Sequence, residues 1–305
     1  MTDQLKKFLF EDRSVRVQAV RLHETWLHAQ EHHDYPPAIQ RLLGELMAAA
    51  ALLAANIKFE GSLVLQIQGT GPVALLVVEC QSDLGMRATV KIREGQEVPP
   101  DGTMQSLLNT NNEGRFIVVL DPRRKVPGQQ AYQGIVPLEG DTVAEALQHY
   151  MKASEQLDTR LWLQADGQHA AGLLIQRLPD HGGTAASESG ANTLEHAIVM
   201  AETIKPDELL NSDIDTIIHR LYWEDTMIGF EPSQVRWHCP CTRERVGNML
   251  RTLGEQEVNE ILAEQGSVQI TCDFCGKPYA FDPVDCSGLF TDSRPMPEQD
   301  PPTVH

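Results

Sequence analysis

Two closely spaced pairs of cysteines stand near the end of the sequence, CPC at 239–241 and, after thirty further residues, CDFC at 272–275. Zinc prefers four soft ligands in a tetrahedron, and thiol pairs in two tight turns supply that geometry from two points on the chain. Gly276 directly follows the second pair and suits a turn whose backbone needs a positive φ. The spacing therefore predicts a zinc ion bound by Cys239, Cys241, Cys272 and Cys275.

Two other interpretations of these residues carry less weight. Thioredoxin-type dithiol catalysis at the second pair normally needs a helix directly after the motif, where the helix dipole lowers a thiol pKa. Here Gly276, Lys277 and Pro278 follow, and then a predicted strand. His238 is an alternative ligand, but a surface histidine is the simpler interpretation when four thiols are present. The remaining thiols, Cys80 and Cys286, are expected to be ordinary buried or incidental cysteines.

Composition restricts the class of protein. The chain has 305 residues with average hydrophobic content and a net charge of −18, whereas proteins that hold a phosphate backbone need Lys and Arg. Nucleic-acid binding is therefore disfavoured. The N-terminus lacks the apolar segment of a signal peptide, and no apolar run approaches the roughly 18 residues of a membrane span. We expect a cytoplasmic protein without membrane insertion, in a compartment where clustered thiols indicate metal or redox chemistry.

Residues 1–178 are predicted to form an α+β domain with a mainly antiparallel sheet. A helix with apolar residues at helical spacing follows Pro36 and Pro37, and Asp141 begins a second helix that extends to Leu157. The alternation in VRVQAV, Val15–Val20, predicts a strand with one buried face. The other predicted strands are Ser62–Gly69, Pro72–Cys80, Met86–Ile92, Arg115–Asp121, Thr159–Asp166 and His169–Leu178.

Residues 179–230 are predicted to be an acidic helical linker. They contain ten acidic residues against Lys205 and Arg220, a net charge of −8. A Gly- and Ser-rich start precedes two predicted helices, Thr193–Ile204 and Pro206–Tyr222. Helices this short are not stable alone in water, so the apolar stripe of the second must dock on another part of the protein. The stripe consists of Leu210, Ile214, Ile217, Ile218 and Leu221.

The rest of the chain is predicted to be a small zinc module at 231–287 and a Pro-rich disordered tail at 288–305. Within the module, VQIT and PYAFD on either side of the second cysteine pair have the pattern of a β-hairpin.

The chain resembles the heat-shock protein 33 family of redox-regulated chaperones from about Asp3 to Asp285. The segments that carry the resemblance are LLGELMAAAALLAANIKFEGSLVLQIQGTGPVALLVVEC, AAGLLIQRLP and, with the highest specificity, HCPCTRERVGNMLRTLGEQEVNEILAEQGSVQITCDFCGKPYAFD. The resemblance implies that Cys239, Cys241, Cys272 and Cys275 are the zinc thiolates of a reduced, inactive form. It implies further that oxidation releases the zinc, pairs the thiols, unfolds the linker and exposes a surface that captures unfolding proteins.

The leading hypothesis is therefore an ATP-independent holdase without enzymatic activity, with one zinc per reduced chain and redox-active disulfides in the oxidised one. We expect near neighbours to pair, Cys239 with Cys241 and Cys272 with Cys275. A zinc-containing dithiol oxidoreductase and a zinc-ribbon nucleic-acid adaptor remain the alternatives, although the module itself has a net charge of −4. Unfolded or oxidatively damaged proteins are the expected partners. Whether the oxidised form is a homodimer is not decided by the sequence.

Overall fold

The computed structural model describes residues 3–124, 131–178 and 188–291. It divides into two compact units, with the boundary between His238 and Cys239. The strands are β1 (Gln4–Phe10), β2 (Val15–Leu22), β3 (Gly61–Gln68), β4 (Val73–Gln81), β5 (Gly85–Ile92), β6 (Arg115–Pro122), β7 (Tyr132–Pro137), β8 (Thr159–Ala165), β9 (Ala170–Arg177), β10 (Met227–Gly229), β11 (Ser233–Gln234), β12 (Arg236–Trp237), β13 (Val268–Thr271) and β14 (Pro278–Phe281). The helices are α1 (Glu24–Gln30), α2 (Pro37–Ala54), α3 (Met104–Leu108), α4 (Val143–Tyr150), α5 (Glu188–Ala201), α6 (Pro206–Asn211), α7 (Ile214–Tyr222), α8 (Arg243–Leu253), α9 (Glu255–Gln265) and α10 (Pro283–Thr291).

In its described residues, the first unit contains two six-stranded sheets. The first sheet has the strand order β10-β1-β2-β9-β8, with β11 also pairing with β1, and the second has the order β12-β5-β4-β3-β6-β7. The strand pairs are antiparallel except β12 with β5. The α+β class with mainly antiparallel pairing is thereby confirmed, but the strands form two sheets where the sequence indicated one. Short strands from 227–237 complete the edges of both sheets.

Helix α2 forms the centre of the first unit and packs on strands of both sheets. It begins directly after Pro36, as predicted, because proline is well tolerated in the first helical turn. Gly44 permits a close approach to the first sheet, since a Cβ there would lie 2.5 Å from the Cβ of Ala165. By length and composition α2 could cross a membrane, but 72% of its apolar window is buried inside the protein.

Strand β2 was expected to have one buried face, and the structure shows that both faces are covered. One face of β2 and β9 packs on α2, and the other packs beneath the linker helices. Even Gln18 is fully buried, where its side chain exchanges hydrogen bonds with Asn56. The alternation in Val15–Val20 could not show this, because the face that carries Gln18 is covered by α2 and by Asn56, which lies 38 positions away in the sequence.

The linker contains three helices in its described part, where two were predicted. The expected helix Pro206–Tyr222 is interrupted at Ser212, because Asp213 has extended backbone and caps α7, accepting a hydrogen bond from the Thr216 N–H at 2.9 Å. Helix α5 begins at Glu188, earlier than the predicted Thr193. The Gly- and Ser-rich start of the linker lies outside the described residues up to 187.

The second unit is a small α+β module in which the hairpin β13–β14 packs with α8, α9 and α10. The predicted hairpin is confirmed, with Val268 opposite Phe281 and Thr271 opposite Pro278. Its buried apolar residues are Leu250, Val258, Val268, Tyr279, Phe281 and Cys286. A core of this size leaves a small domain marginally stable without a disulfide, a metal or a partner.

Two predicted boundaries of this module differ from the structure. Residues 231–238 belong to the first unit, because β11 pairs with β1 and β12 with β5. Residues 288–291, predicted to begin a disordered tail, lie in helix α10. The remainder of the predicted tail, 292–305, falls outside the described residues.

Candidate metal centre

The four clustered thiols lie together in the second unit. Their sulfur atoms are all within 4.8 Å of one another, and each side chain is half-buried. The Sγ atoms of Cys239 and Cys272 are 3.8 Å apart, and those of Cys241 and Cys275 are 3.3 Å apart. Thiolates are strong ligands for soft and borderline metal ions. The four cysteines could therefore hold a metal ion in a site formed by two separate parts of the chain.

Backbone hydrogen bonds shape the second half of the site into a tight turn between β13 and β14. The Cys272 N–H donates to the Lys277 carbonyl at 3.0 Å, and the Gly276 N–H donates to the Cys272 carbonyl at 2.9 Å. Gly276 has a φ of 64°, as the sequence predicted, and this left-handed conformation is one that glycine adopts without strain. The turn directs Cys272 and Cys275 toward the same point.

The first half of the site immediately precedes helix α8. Thr242 is the N-cap residue, and its hydroxyl accepts a hydrogen bond from the Arg245 N–H at 3.2 Å. Cys241 is therefore next to the N-terminus of a helix, where the partial positive charge of the backbone favours a thiolate. The sulfur atoms of this first pair lie close to those of the pair in the hairpin turn.

Arg243 links the start of α8 to the hairpin and to α10. Its guanidinium donates to the Ala280 carbonyl at 2.6 Å and to the Asp285 carboxylate at 2.7 Å. It also lies 4.2 Å from the centroid of the Phe281 ring. Sequence reasoning did not identify Arg243, since an arginine in a first helical turn has no distinguishing pattern. Its contacts keep the two cysteine-bearing segments together.

Tyr279 is a second residue that sequence reasoning missed. Its hydroxyl donates a hydrogen bond to the Cys241 sulfur at 3.2 Å from its position on β14. Burial raises the pKa of the Cys241 thiol, but the hydrogen bonds from Tyr279 and from the neighbouring thiols outweigh it and lower the pKa to about 7. Burial raises the pKa of Cys239 and of Cys275. Negative charge therefore accumulates more readily at Cys241 than at those two thiols.

The other candidate ligands are not members of the cluster. Cys80 is buried in β4 of the first unit, and Cys286 is buried in the core of the second. Burial raises the pKa of both thiols, which makes them poor nucleophiles. His238 belongs to the first unit, where its backbone N–H donates to the Met86 carbonyl at 2.8 Å. Among the described residues, the metal cluster comprises the four cysteines alone.

The linker stripe is buried against the first sheet. Leu210, Ile214, Ile217, Ile218 and Leu221 are all buried. They form one apolar cluster with side chains of β1, β2 and β9 that face away from α2. The sheet residues in that cluster are Phe10, Val15, Val17, Ala19, Ala171, Leu173 and Ile175. The linker helices thus cover a continuous apolar surface of the first unit.

Polar contacts hold the linker at both ends of α7 and at the break before it. Arg21, only 9% exposed on β2, donates to the carbonyl of Ser212 at 2.9 Å, where α6 ends. Lys6 forms an ion pair with Asp215 at 2.5 Å, and the Tyr222 hydroxyl donates to the Ala197 carbonyl at 2.9 Å. Arg21 was not predictable as a linker contact, because its partner is a backbone carbonyl about 190 residues away.

Comparison with known proteins gives a consistent result. The sequence model of the family described as "Hsp33 protein" matches residues 3–282. The 33 kDa chaperonin of Methylobacillus flagellatus is 48% identical over 301 residues, covering 98% of each chain. That of Chromobacterium violaceum is 44% identical over 288 residues, covering 94% of each chain.

The fold also matches a solved structure. The crystal structure of the 33 kDa chaperonin (heat shock protein 33 homolog) from Thermotoga maritima aligns with a TM-score of 0.77 at 21% sequence identity, over 94% of this chain and 97% of that one. The shared fold accompanies a family match across nearly the whole sequence and a cluster of four thiols in its C-terminal part. This chain belongs to the Hsp33 family.

Proposed function

We propose that the four clustered cysteines bind one zinc ion in the reduced protein. Four sulfurs at about 2.3 Å from a tetrahedral zinc ion lie about 3.8 Å from each other. The observed separations of 3.8 Å and 3.3 Å, with all sulfur atoms within 4.8 Å, require only small adjustments to reach that arrangement. Four soft donors without a carboxylate among them favour zinc over magnesium or calcium.

Metal binding would supply most of the stability of the second unit. Structural zinc contributes about 10 to 16 kcal/mol of apparent folding free energy in small modules. Among its described residues, the apolar core of this unit contains six buried residues, and Arg243 and Tyr279 add polar contacts between its two cysteine-bearing segments. Loss of the thiolates as ligands would therefore unfold the unit.

Tyr279→Phe is expected to weaken zinc binding about tenfold, the lower end of the usual effect of removing a hydrogen bond to a metal ligand. The substitution keeps the buried ring and deletes the donor to Cys241, so the thiolate at that position loses stabilisation. Competition with a chromophoric chelator at pH 7 measures the affinity. Tyr132→Phe, which removes the hydroxyl of an exposed tyrosine in the first unit, is the control. Equal affinities of the Tyr279→Phe variant and the unsubstituted protein would contradict this role.

We propose that peroxide converts the four thiolates into two disulfides. Each disulfide forms when two thiolates lose two electrons, and one hydrogen peroxide takes up these electrons and two protons from the solvent to become two waters. Distances alone do not decide the pairing, since all four sulfurs lie within 4.8 Å. Once the unit unfolds, Cys239 stays near Cys241 and Cys272 near Cys275, whereas closing the longer loop between the pairs costs more entropy. Near-neighbour pairing is therefore the proposed outcome.

Unfolding of the second unit would release the linker. Residues 227–237 connect the linker helices to the second unit, and strands of only two or three residues hold this segment to the sheets. When this segment loosens, α7 loses its C-terminal anchor, and the acidic linker repels itself. Undocking would expose the linker stripe and the apolar side chains beneath it on β1, β2 and β9. Exposed contiguous apolar surface is what binds unfolded chains.

The function that these observations support best is a redox-regulated, ATP-independent chaperone of the cytoplasm that binds unfolding or oxidatively damaged proteins. It acts by binding, with no catalytic turnover. The single observation that carries the proposal is the gathering of four thiols in a small unit whose described part has six buried core residues. A nucleic-acid adaptor is not favoured, because Glu231–Ser287 contains nine acidic against five basic residues.

The test compares the reduced protein with the same sample after peroxide treatment. We expect one zinc per chain before treatment and zinc release after it, together with suppression of aggregation of a thermally unfolding client protein. Hydrogen exchange should rise in 193–222 and in the second unit while β3, β4 and β5 stay protected. Peptide mapping should find the two near-neighbour disulfides. Suppression by the zinc-loaded reduced protein, or a protected linker during suppression, would contradict the proposal.

A further inference from the structure

A cavity of about 410 Å³ lies in the first unit between the two sheets, remote in sequence from the cysteine cluster. Its volume falls within the range of about 300 to 1,000 Å³ that is typical of small-molecule sites. Most of its wall is apolar and comes from the end of α2, from β3 and β6, and from the segment after α4. The apolar side chains on the wall include Leu53, Ile57, Leu63, Val118, Leu120 and Leu157.

The cavity contains a half-buried cation. Arg16 of β2 lines it, and the Arg16 Nε is buried without a hydrogen-bond partner among the described residues. One Nη donates to the side-chain oxygen of Gln176, which also lines the cavity. The unpartnered Nε means that a donor of a permanently charged group is unsatisfied. Such a donor costs free energy unless an acceptor reaches it.

A second cation increases the positive charge at this end of the cavity. Lys7 on β1 donates from Nζ to the Ala55 carbonyl, at the end of α2. Burial, and then the nearby charge of Arg16, lower the pKa of Lys7. Among the described residues, neither Lys7 nor Arg16 forms an ion pair with a carboxylate. Two cations near each other and without a counter-ion create a site that attracts an anion.

The one acidic group on the wall does not neutralise Arg16. The Glu155 carboxylate lines the cavity but accepts hydrogen bonds from the hydroxyls of Tyr132 at 3.2 Å and Tyr150 at 3.1 Å. These bonds hold it toward the α4 side of the cavity. The described groups therefore leave the Arg16 end positive and most of the remaining wall apolar.

The wall also has an uncommon backbone. Residues Met151–Glu155 form a π-helical turn, and Gln156 has a φ of 55°, which a residue with a side chain adopts at a cost. π-Helical turns are rare and frequently lie at functional sites. Met151 and Glu155 of this turn both line the cavity, and Leu157 follows. The irregular backbone thus shapes the wall that faces the cation.

We infer that this cavity binds a small amphiphile, an aliphatic monocarboxylate whose head group pairs with Arg16 and whose apolar body lies against the α2, β3 and β6 wall. The planar guanidinium fork matches the two oxygens of a carboxylate. A monoanion suits the site better than a phosphate, because an apolar wall does not compensate the desolvation of a second negative charge. This binding site is independent of the metal centre and of the proposed function.

Titration calorimetry of decanoate into the reduced, zinc-loaded full-length protein tests the inference, with decanoate below its micelle concentration. We expect saturable binding of one decanoate per chain. 1-Decanol has the same apolar body without the charge and should bind about tenfold more weakly, the effect of losing a hydrogen bond to a charged group. Binding of decanol with the affinity of decanoate would overturn the assignment of the anionic head.

Variants locate the site. Arg16→Met retains an apolar stem without the charge and should weaken decanoate binding about tenfold. The matched control is Arg160→Met, since Arg160 is an exposed arginine of β8 outside the cavity. This substitution should leave decanoate binding unchanged. Ile57→Trp, which fills the cavity from a partly exposed position, should also weaken binding and is independent of the Arg16 variant. Unchanged binding in folded Arg16→Met or Ile57→Trp protein would place decanoate elsewhere and overturn the inference.

Discussion

Cys272→Ser is expected to abolish zinc retention and to unfold the second unit. A serine hydroxyl does not replace a thiolate as a soft ligand, so the unit loses a large part of the about 10 to 16 kcal/mol that structural zinc supplies in small modules. Zinc content after gel filtration and hydrogen exchange in 239–291 measure the two effects. Since unfolding of this unit is the proposed trigger, the variant should also suppress client aggregation without peroxide.

Cys286→Ala is the matched control, because Cys286 is buried in the core of the same unit and lies outside the thiol cluster. It removes a packed thiol without removing a ligand, so zinc content should stay at one per chain. Protected strands β3, β4 and β5 in Cys272→Ser would show that the first unit remains folded. A Cys272→Ser variant that retains zinc, or a Cys286→Ala variant that loses it, would refute the assignment of the ligands.

The double substitution Ile214→Ser and Ile218→Ser is expected to give partial chaperone activity in the reduced protein. Both side chains are buried in the cluster between α7 and the first sheet. Truncating a buried isoleucine costs about 2 to 5 kcal/mol, and a buried hydroxyl without a partner adds to that cost. The docked linker should therefore open while zinc is still bound. Aggregation suppression and zinc content, measured on the same reduced sample, check the result.

Val199→Ser provides the control for composition, since Val199 is an aliphatic residue of the linker that is 54% exposed on α5. It should behave like the unsubstituted protein. If the double variant is folded, shows a faster-exchanging linker and still requires peroxide for activity, then client capture does not depend on the surface beneath α7. Such a result would not affect the proposed metal site. It would show that the linker does not control client binding.

The first sheet shows how far the sequence could predict the fold. Alternation in Val15–Val20 identified β2 as a strand, since its period of two is local. It predicted a solvated face, but Gln18 on that face is fully buried beside Asn56, just after α2, while Arg21 on the opposite face is buried beneath the linker helices. Which surface an apolar stripe covers depends on contacts between distant segments, and a single sequence does not contain that information.

Local sequence patterns also failed to predict the break in the linker helix and the shortest strands. The stripe from Leu210 to Leu221 was evident, but the interruption at Ser212 was not, because helical periodicity continues through it. The break places the carbonyl of Ser212 where the buried Arg21 can donate to it. The strands β10, β11 and β12 were missed for a related reason: two or three residues carry no periodicity, and only their pairing partners make them strands.

The sequence by itself determined the candidate metal site, because four cysteines in two short motifs specify both the donor chemistry and the two turns that present it. Gly276 and the hairpin around it followed from the same local rules, and the structure confirms both. Tertiary structure alone decided which groups form hydrogen bonds to those thiols and which hold their two chain segments together. Tyr279 reaches Cys241 across 38 positions, and Arg243 reaches Asp285 across 42. A hydrogen bond between distant residues depends on the whole packing of the unit, so it appears only once the chain is folded.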